Sequence, residues 1–175
     1  MARSLNERDK EALKLFQYRN RLLTAIREHS LCDPEEQSYQ TIFQHCCNVL
    51  AGACHCNFVW AGDIDREENR LIPFAASPVK TFSVSSIQGH LANVLIEQFN
   101  SDLTSFTRPL SLHFATEKHE QKEPVDQYCI VWPVGYQQRV YGFVAMHCKE
   151  QIKISELKAE FIAHVIDDSA LALYS

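Results

Sequence analysis

The sequence predicts an α+β domain, with an antiparallel sheet carrying helices on one face and loops on the other. Three observations lead there. Helical periodicity brackets the chain, over residues 7–30 and again after Ser155. The strand-like runs between them are grouped, not alternated one for one with helices. Two of those runs, QYCIVWPVGY and RVYGFVAMHC, flank a tight turn near Gln137–Gln138 and give the clearest hairpin signal. The predicted order is α-α-β-β-α-β-β-β-α.

In residues 7–30, Leu15, Tyr18, Leu22 and Ile26 recur at helical steps, and Phe16 and Leu23 widen the stripe. Next, CDPEEQSYQ supplies a helix start: Asp33 as N-cap, Pro34 at the first helical position, Glu36 at capping-box spacing. The second helix is expected from about Pro34 to Ala53, with Tyr39, Ile42, Phe43, Cys46, Val49, Leu50 and Ala53 as its apolar positions. CNFVWAGDID and RLIPFAAS read as a hairpin, and Pro73 places the second strand at an edge or a bulge. SSIQGHLANVLIEQF returns to helical spacing, with Ser85 and Gln88 as a second capping pair. RPLSLHFA is a short strand and TEKHEQKEPVD a polar connection. The last helix starts at the N-cap Ser155, with Leu157, Phe161, His164/Val165 and Leu171/Ala172 as its stripe.

Composition narrows the function classes. The 175 residues suit one domain, and 46% hydrophobic residues suffice for a core. A net charge of −5, with Lys and Arg scattered, provides no footprint for nucleic acid. The charged N-terminus has no signal-peptide apolar stretch, and no run reaches membrane-span length, so a cytoplasmic, reducing location is expected. Seven cysteines, an odd count, then argue for free thiols. The five glycines form no phosphate-cradling loop, and GxSxG, HExxH and CxxC are missing.

HCCNVLAGACHC, residues 45–56, concentrates four cysteines and two histidines. A zinc site needs four converging N/S ligands, and no known ligand spacing is matched here. Cys46 occupies a position where the second helix requires an apolar residue, so core packing is the favoured reading. Redox reactivity is the alternative. No metal ligand is assigned.

The chain resembles a GAF domain, the small-molecule sensor module of many signalling proteins. TIFQHCCNVLAGACHCNFVWAGDID, RLIPFAAS and DQYCIVWPVGYQQRVYGFVAMHC carry the resemblance, with Pro133 and Gly142 as marked positions, over roughly residues 15–172. The resemblance implies a GAF/PAS-like twisted antiparallel sheet of five or six strands. It places the N- and C-terminal helices on one face. Across the sheet it implies a pocket roofed by a helix and loops, about residues 77–127. Members bind cyclic nucleotides, bilins, haem, iron or small metabolites, or nothing known. Their end helices often form a dimeric bundle leading into an output domain. We therefore expect residues 1–30 to be a signalling and dimerisation helix and 31–175 the GAF-like domain. The expected function is a non-enzymatic sensor of an unidentified small molecule, homodimeric through its terminal helices, with a downstream output domain in a longer chain. Neither nucleic acid nor membrane is an expected partner, and no cofactor is named.

Two alternatives stay open. One is a thiol-dependent reductase of the free-methionine-sulfoxide type, for which Cys129 is the cysteine nearest the expected pocket. The other is a ligand-free dimerisation module. Bilin attachment is disfavoured, because the Cys54–His55 pair precedes the first strand and no cysteine lies between Cys56 and Cys129. No catalytic residue is assigned. The candidate ligand-binding residues are Trp60, Phe74, His90, His113, Tyr128 and Trp132, which offer ring faces and polar tips to a planar ligand. Strand alternation puts Tyr128, Ile130 and Trp132 on one face and Cys129, Val131 and Pro133 on the other. It leaves open which of them is the pocket face.

Overall fold

The computed structural model describes residues 6–30, 37–65, 67–68, 70–79, 93–97, 110–116, 125–137, 139–148 and 154–175. Among the described residues, the long helices α1 (Glu7–Ser30), α2 (Gln37–Cys54) and α3 (Glu156–Tyr174) flank five strands in the chain. The strands are β1 (Phe58–Asp65), β2 (Arg70–Ser77), β3 (Leu110–Thr116), β4 (Val125–Tyr136) and β5 (Arg139–Cys148). They form one sheet in the order β2-β1-β5-β4-β3, with every neighbouring pair antiparallel. A helical stretch over 93–97 lies between β2 and β3 in sequence. The expected caps at Asp33, Pro34, Glu36, Ser85 and Gln88 lie outside the described residues.

Each strand has a local reason. β2 is an edge strand, so Pro73 costs no interior ladder bond. Its register slips beside Pro73: Ala61 pairs with Ala75 and Gly62 with Pro73, which leaves Phe74 as the bulged residue. β4 and β5 close through a tight turn after Tyr136, and Gln137 adopts φ 48°, the positive value such a hairpin requires. Gly142 has φ 151°, and a Cβ there would stand 2.5 Å from the Gly62 carbonyl oxygen. Only glycine lets β1 and β5 approach so closely.

The helices cover one face of the sheet. Phe43, Cys46, Cys47, Leu50 and Ala53 of α2 pack with Leu15 and Leu22 of α1 and with Phe161, Ile162, Val165, Ile166 and Ala170 of α3. Val59, Ala61, Ala75, Val134, Val144 and Met146 receive them from the sheet. Cys46 and Cys47 are fully buried there and serve as small apolar fillers.

Both terminal helices depart from their expected stripes. On α1, Phe16 is 60% and Leu23 40% exposed. On α3, His164 and Leu171 are exposed, whereas Ile162, Ile166, Ser169 and Ala170 are buried. The reason is that α3 packs on α1, α2 and β4 together, which rotates its buried face away from the outer residues. α1 and α3 run alongside each other in the same direction, joined by Arg19–Asp168 (2.7 Å) and Lys158–Glu11 (3.6 Å). Ser155 caps α3 as expected, its hydroxyl oxygen accepting from the Lys158 N–H.

Candidate functional site

The other sheet face has its own core. Strand alternation turns Trp60 of β1, Cys129 and Val131 of β4, and Phe143 and Ala145 of β5 away from the helices. Ile64, Leu71 and Ala76 extend this surface, and Leu95 and Ile96 of the 93–97 stretch pack over it.

Register sets its geometry. His147 stands opposite Phe58 on one side and Cys129 on the other. One row along, Ala145 stands between Trp60 and Val131. The small Ala145 side chain thus sits, fully buried, between a Trp and a Val.

This face carries a buried polar unit. The Trp60 indole N–H donates to His147 Nε2 at 2.9 Å, although the two residues are 87 positions apart. The Cys129 sulfur stands 3.6 Å from the same nitrogen. Phe143 meets Trp60 edge-on, with ring centroids 5.0 Å apart, and Phe58 lies 5.7 Å from the His147 ring. Because Nε2 accepts from the indole, the imidazole is neutral and carries its proton on Nδ1. Burial agrees, lowering the His147 pKa to about 4. Burial also pushes the Cys129 thiol well up, so the pair is thiol and neutral imidazole, not thiolate and imidazolium.

The sequence candidates separate around this unit. Trp60 lies within it, fully buried. Phe74 and Trp132 lie on the opposite face, packed against the helix-side core, where Phe74 meets Phe43 at 5.4 Å and Tyr39 at 5.7 Å. Tyr128 shares that face with Ile130 and Trp132 by alternation. His113 pairs with Tyr128 in the β3–β4 ladder. His90 lies outside the described residues. His147 was not among the candidates, yet its signal is present in FVAMHC. Phe143, Ala145 and His147 share a face by alternation, and an imidazole ending an apolar row needs a partner.

A second group of thiols gathers at one end of the sheet. Cys148 at the end of β5 donates to Cys56, in the turn before β1, across 3.6 Å. Cys54 closes α2 nearby, and burial pushes its thiol up to about 12. Among the described residues, no group of three or more His, Cys, Asp or Glu side chains is arranged to hold a metal ion.

Two hollows border α1. One, of about 190 Å³, is lined by Leu15, Phe16, Arg19, Leu157, Phe161 and His164. The other, of about 270 Å³, is lined mainly by charged groups, among them Glu7, Lys10, Lys14 and Lys158. Neither reaches the Trp60–His147 face.

No family model and no curated protein matches the chain. Solved structures do. The GAF domain of an Acinetobacter phosphoenolpyruvate-protein phosphotransferase aligns at TM-score 0.57 and 15% identity, over 92% of this chain and 93% of that one. The phycocyanobilin-bound GAF domain of a cyanobacterial phytochrome aligns at TM-score 0.61 and 15% identity, over 97% and 94%. A GAF domain/HD domain protein from Geobacter sulfurreducens aligns at TM-score 0.52 and 14% identity, over 78% and 92%. The chain has the GAF-domain fold. No helix among the described residues is long and apolar enough to cross a membrane.

Proposed function

We propose that this domain is a non-enzymatic sensor that binds a small molecule on the Trp60–His147 face and signals through α1 and α3. The observation that carries the reading is the buried Trp60–His147–Cys129 unit beside the small, buried Ala145 side chain. It puts a ring face, a neutral imidazole and a thiol on the sheet face opposite the helices. Ligand sites combine these features: an apolar lining with a few fixed polar groups. The solved structures of the same fold include a bilin-bound domain, which supports the choice of this class.

Transmission follows from the arrangement of the terminal helices. Phe16, Leu13 and Leu23 on α1 and Leu171 and Tyr174 on α3 are exposed along two parallel helices. A second copy covering this strip makes a homodimer whose bundle leads toward an output domain. Ligand occupancy acts on it only through a difference in affinity between two arrangements of the bundle. Among the candidate residues, the reading places Trp60 at the ligand and gives Phe74 and Trp132 to the core. A reductase centred on Cys129 is disfavoured, because its buried thiol stays protonated and the adjacent imidazole nitrogen is already engaged.

The test is mass spectrometry of the small molecules released when the purified protein is denatured. One compound per chain is expected, and Ala145→Trp, which sets a large ring in the row between Trp60 and Val131, abolishes its retention. Retention unchanged in that variant contradicts the assignment.

A further inference from the structure

We propose that Cys56 and Cys148 form a hydroperoxide-responsive dithiol that closes to a disulfide between the start of β1 and the end of β5. Two elements distant in sequence bring the thiols together: the turn after α2 supplies Cys56, and the last residue of β5 supplies Cys148. Their sulfurs stand 3.6 Å apart, already in hydrogen-bond contact. A disulfide needs a separation of about 2 Å, so closure requires a movement of roughly 1.5 Å.

The cysteines divide by environment. Cys46, Cys47 and Cys129 are buried, and burial pushes all three thiols up. Cys56 is half-buried and differs in kind. The hydrogen bond from Cys148 pulls its thiol below the ordinary range, and the Lys158 ammonium on α3 adds to the effect. Cys148 is raised by the same contact, since it keeps the shared proton, and the charges of Cys56, Cys129 and Cys54 on ionisation add to that. A half-buried thiol whose ionisation is favoured, beside a second thiol that keeps its proton, is the arrangement of an attacking and a resolving cysteine.

The Cys56 thiolate attacks one oxygen of a hydroperoxide and the O–O bond breaks. The departing alkoxide, or hydroxide, takes up the proton lost when Cys56 ionised. Cys56 is then a sulfenic acid. The Cys148 sulfur attacks the Cys56 sulfur, the S–O bond breaks, and water leaves with the Cys148 proton. Two thiols lose two electrons in all, and the hydroperoxide is reduced to an alcohol or water plus one further water.

Closure also changes a charge. It removes the ionisable Cys56 thiol, whose charged form Lys158 favours, and the Lys158 ammonium stands 3.6 Å from Glu11 of α1. Thiol state therefore reaches the contact between α1 and α3 without using the Trp60–His147 face. The proposal stands independently of any ligand there.

The test treats the reduced, folded chain with hydrogen peroxide, then counts thiols and maps cross-linked peptides. The free-thiol count is expected to fall by two from seven. The cross-link joins Cys56 to Cys148 within one chain, and dithiothreitol reverses it. Cys148→Ser is expected to leave Cys56 as a sulfenic acid that dimedone traps, and Cys56→Ser to abolish both products. A cross-link mapped to any other pair overturns the proposal. So does a folded, peroxide-treated protein that retains all seven thiols.

Discussion

His147 pairs a titratable ring with a site that refuses its proton. Its ordinary pKa of 6.5 falls to about 4 through burial. Between those values the unfolded chain binds a proton that the native site does not. The contribution is therefore intact above about pH 6.5 and is lost as the pH falls toward 4, by about 3 kcal/mol in total. Urea unfolding at neutral pH and near pH 4.5 checks this, and His147→Gln is expected to flatten the dependence across that window. Trp60→Phe removes the indole donor while keeping most of the ring. It is expected to cost about 1–3 kcal/mol, because the acceptor it served is buried. A thermal melt should register roughly 2–4 °C for each of those kcal/mol. The sequence reading reached Trp60 because aromatic residues in strands stand out. It missed His147 because the contact spans 87 residues and depends on which face of β1 meets which face of β5. Alternation along each strand was readable, but the face covered by helices was not. For this reason Trp132 and Phe74 stood beside Trp60 as candidates and now lie across the sheet from it.

Local rules wrote most of the elements. α1, the edge position of β2, the hairpin between β4 and β5 and the Ser155 cap all follow from periodicity, proline and capping chemistry. Helix faces were less legible. Periodicity finds an apolar stripe but not how many neighbours share it. α3 touches α1, α2 and β4, so its buried set is wider and rotated from the expected one. Gly142 belongs to this scale because it joins two strands. Replacing it with alanine forces a Cβ to 2.5 Å from the Gly62 carbonyl oxygen at a φ of 151°. Gly142→Ala is expected to cost at least about 2 kcal/mol, and the midpoint of denaturant unfolding measures it. A loss below a few tenths of a kcal/mol contradicts the close approach of β1 and β5.

Across the whole molecule, one sheet separates two surfaces. The helix side leaves Leu13, Phe16 and Leu23 of α1 and Leu171 and Tyr174 of α3 exposed, and the other side holds the buried polar unit. Phe16 is the most exposed large residue of the α1 strip, at 60%. Phe16→Glu is expected to convert a dimer to a monomer in sedimentation without altering the far-ultraviolet circular dichroism. A wild-type protein that stays monomeric at high concentration contradicts the bundle. The division of labour itself is tested most directly by ligand-induced stabilisation. Wild type and Ala145→Trp are melted against a panel of cyclic nucleotides, linear tetrapyrroles, haem and small metabolites. A compound at 100 times its dissociation constant adds about 2.7 kcal/mol, which raises the midpoint by roughly 5–10 °C for a domain of this size. The expected result is a rise of that size with at least one compound in wild type and none in Ala145→Trp. No rise with any compound, or an equal rise in both proteins, contradicts a ligand on the Trp60–His147 face.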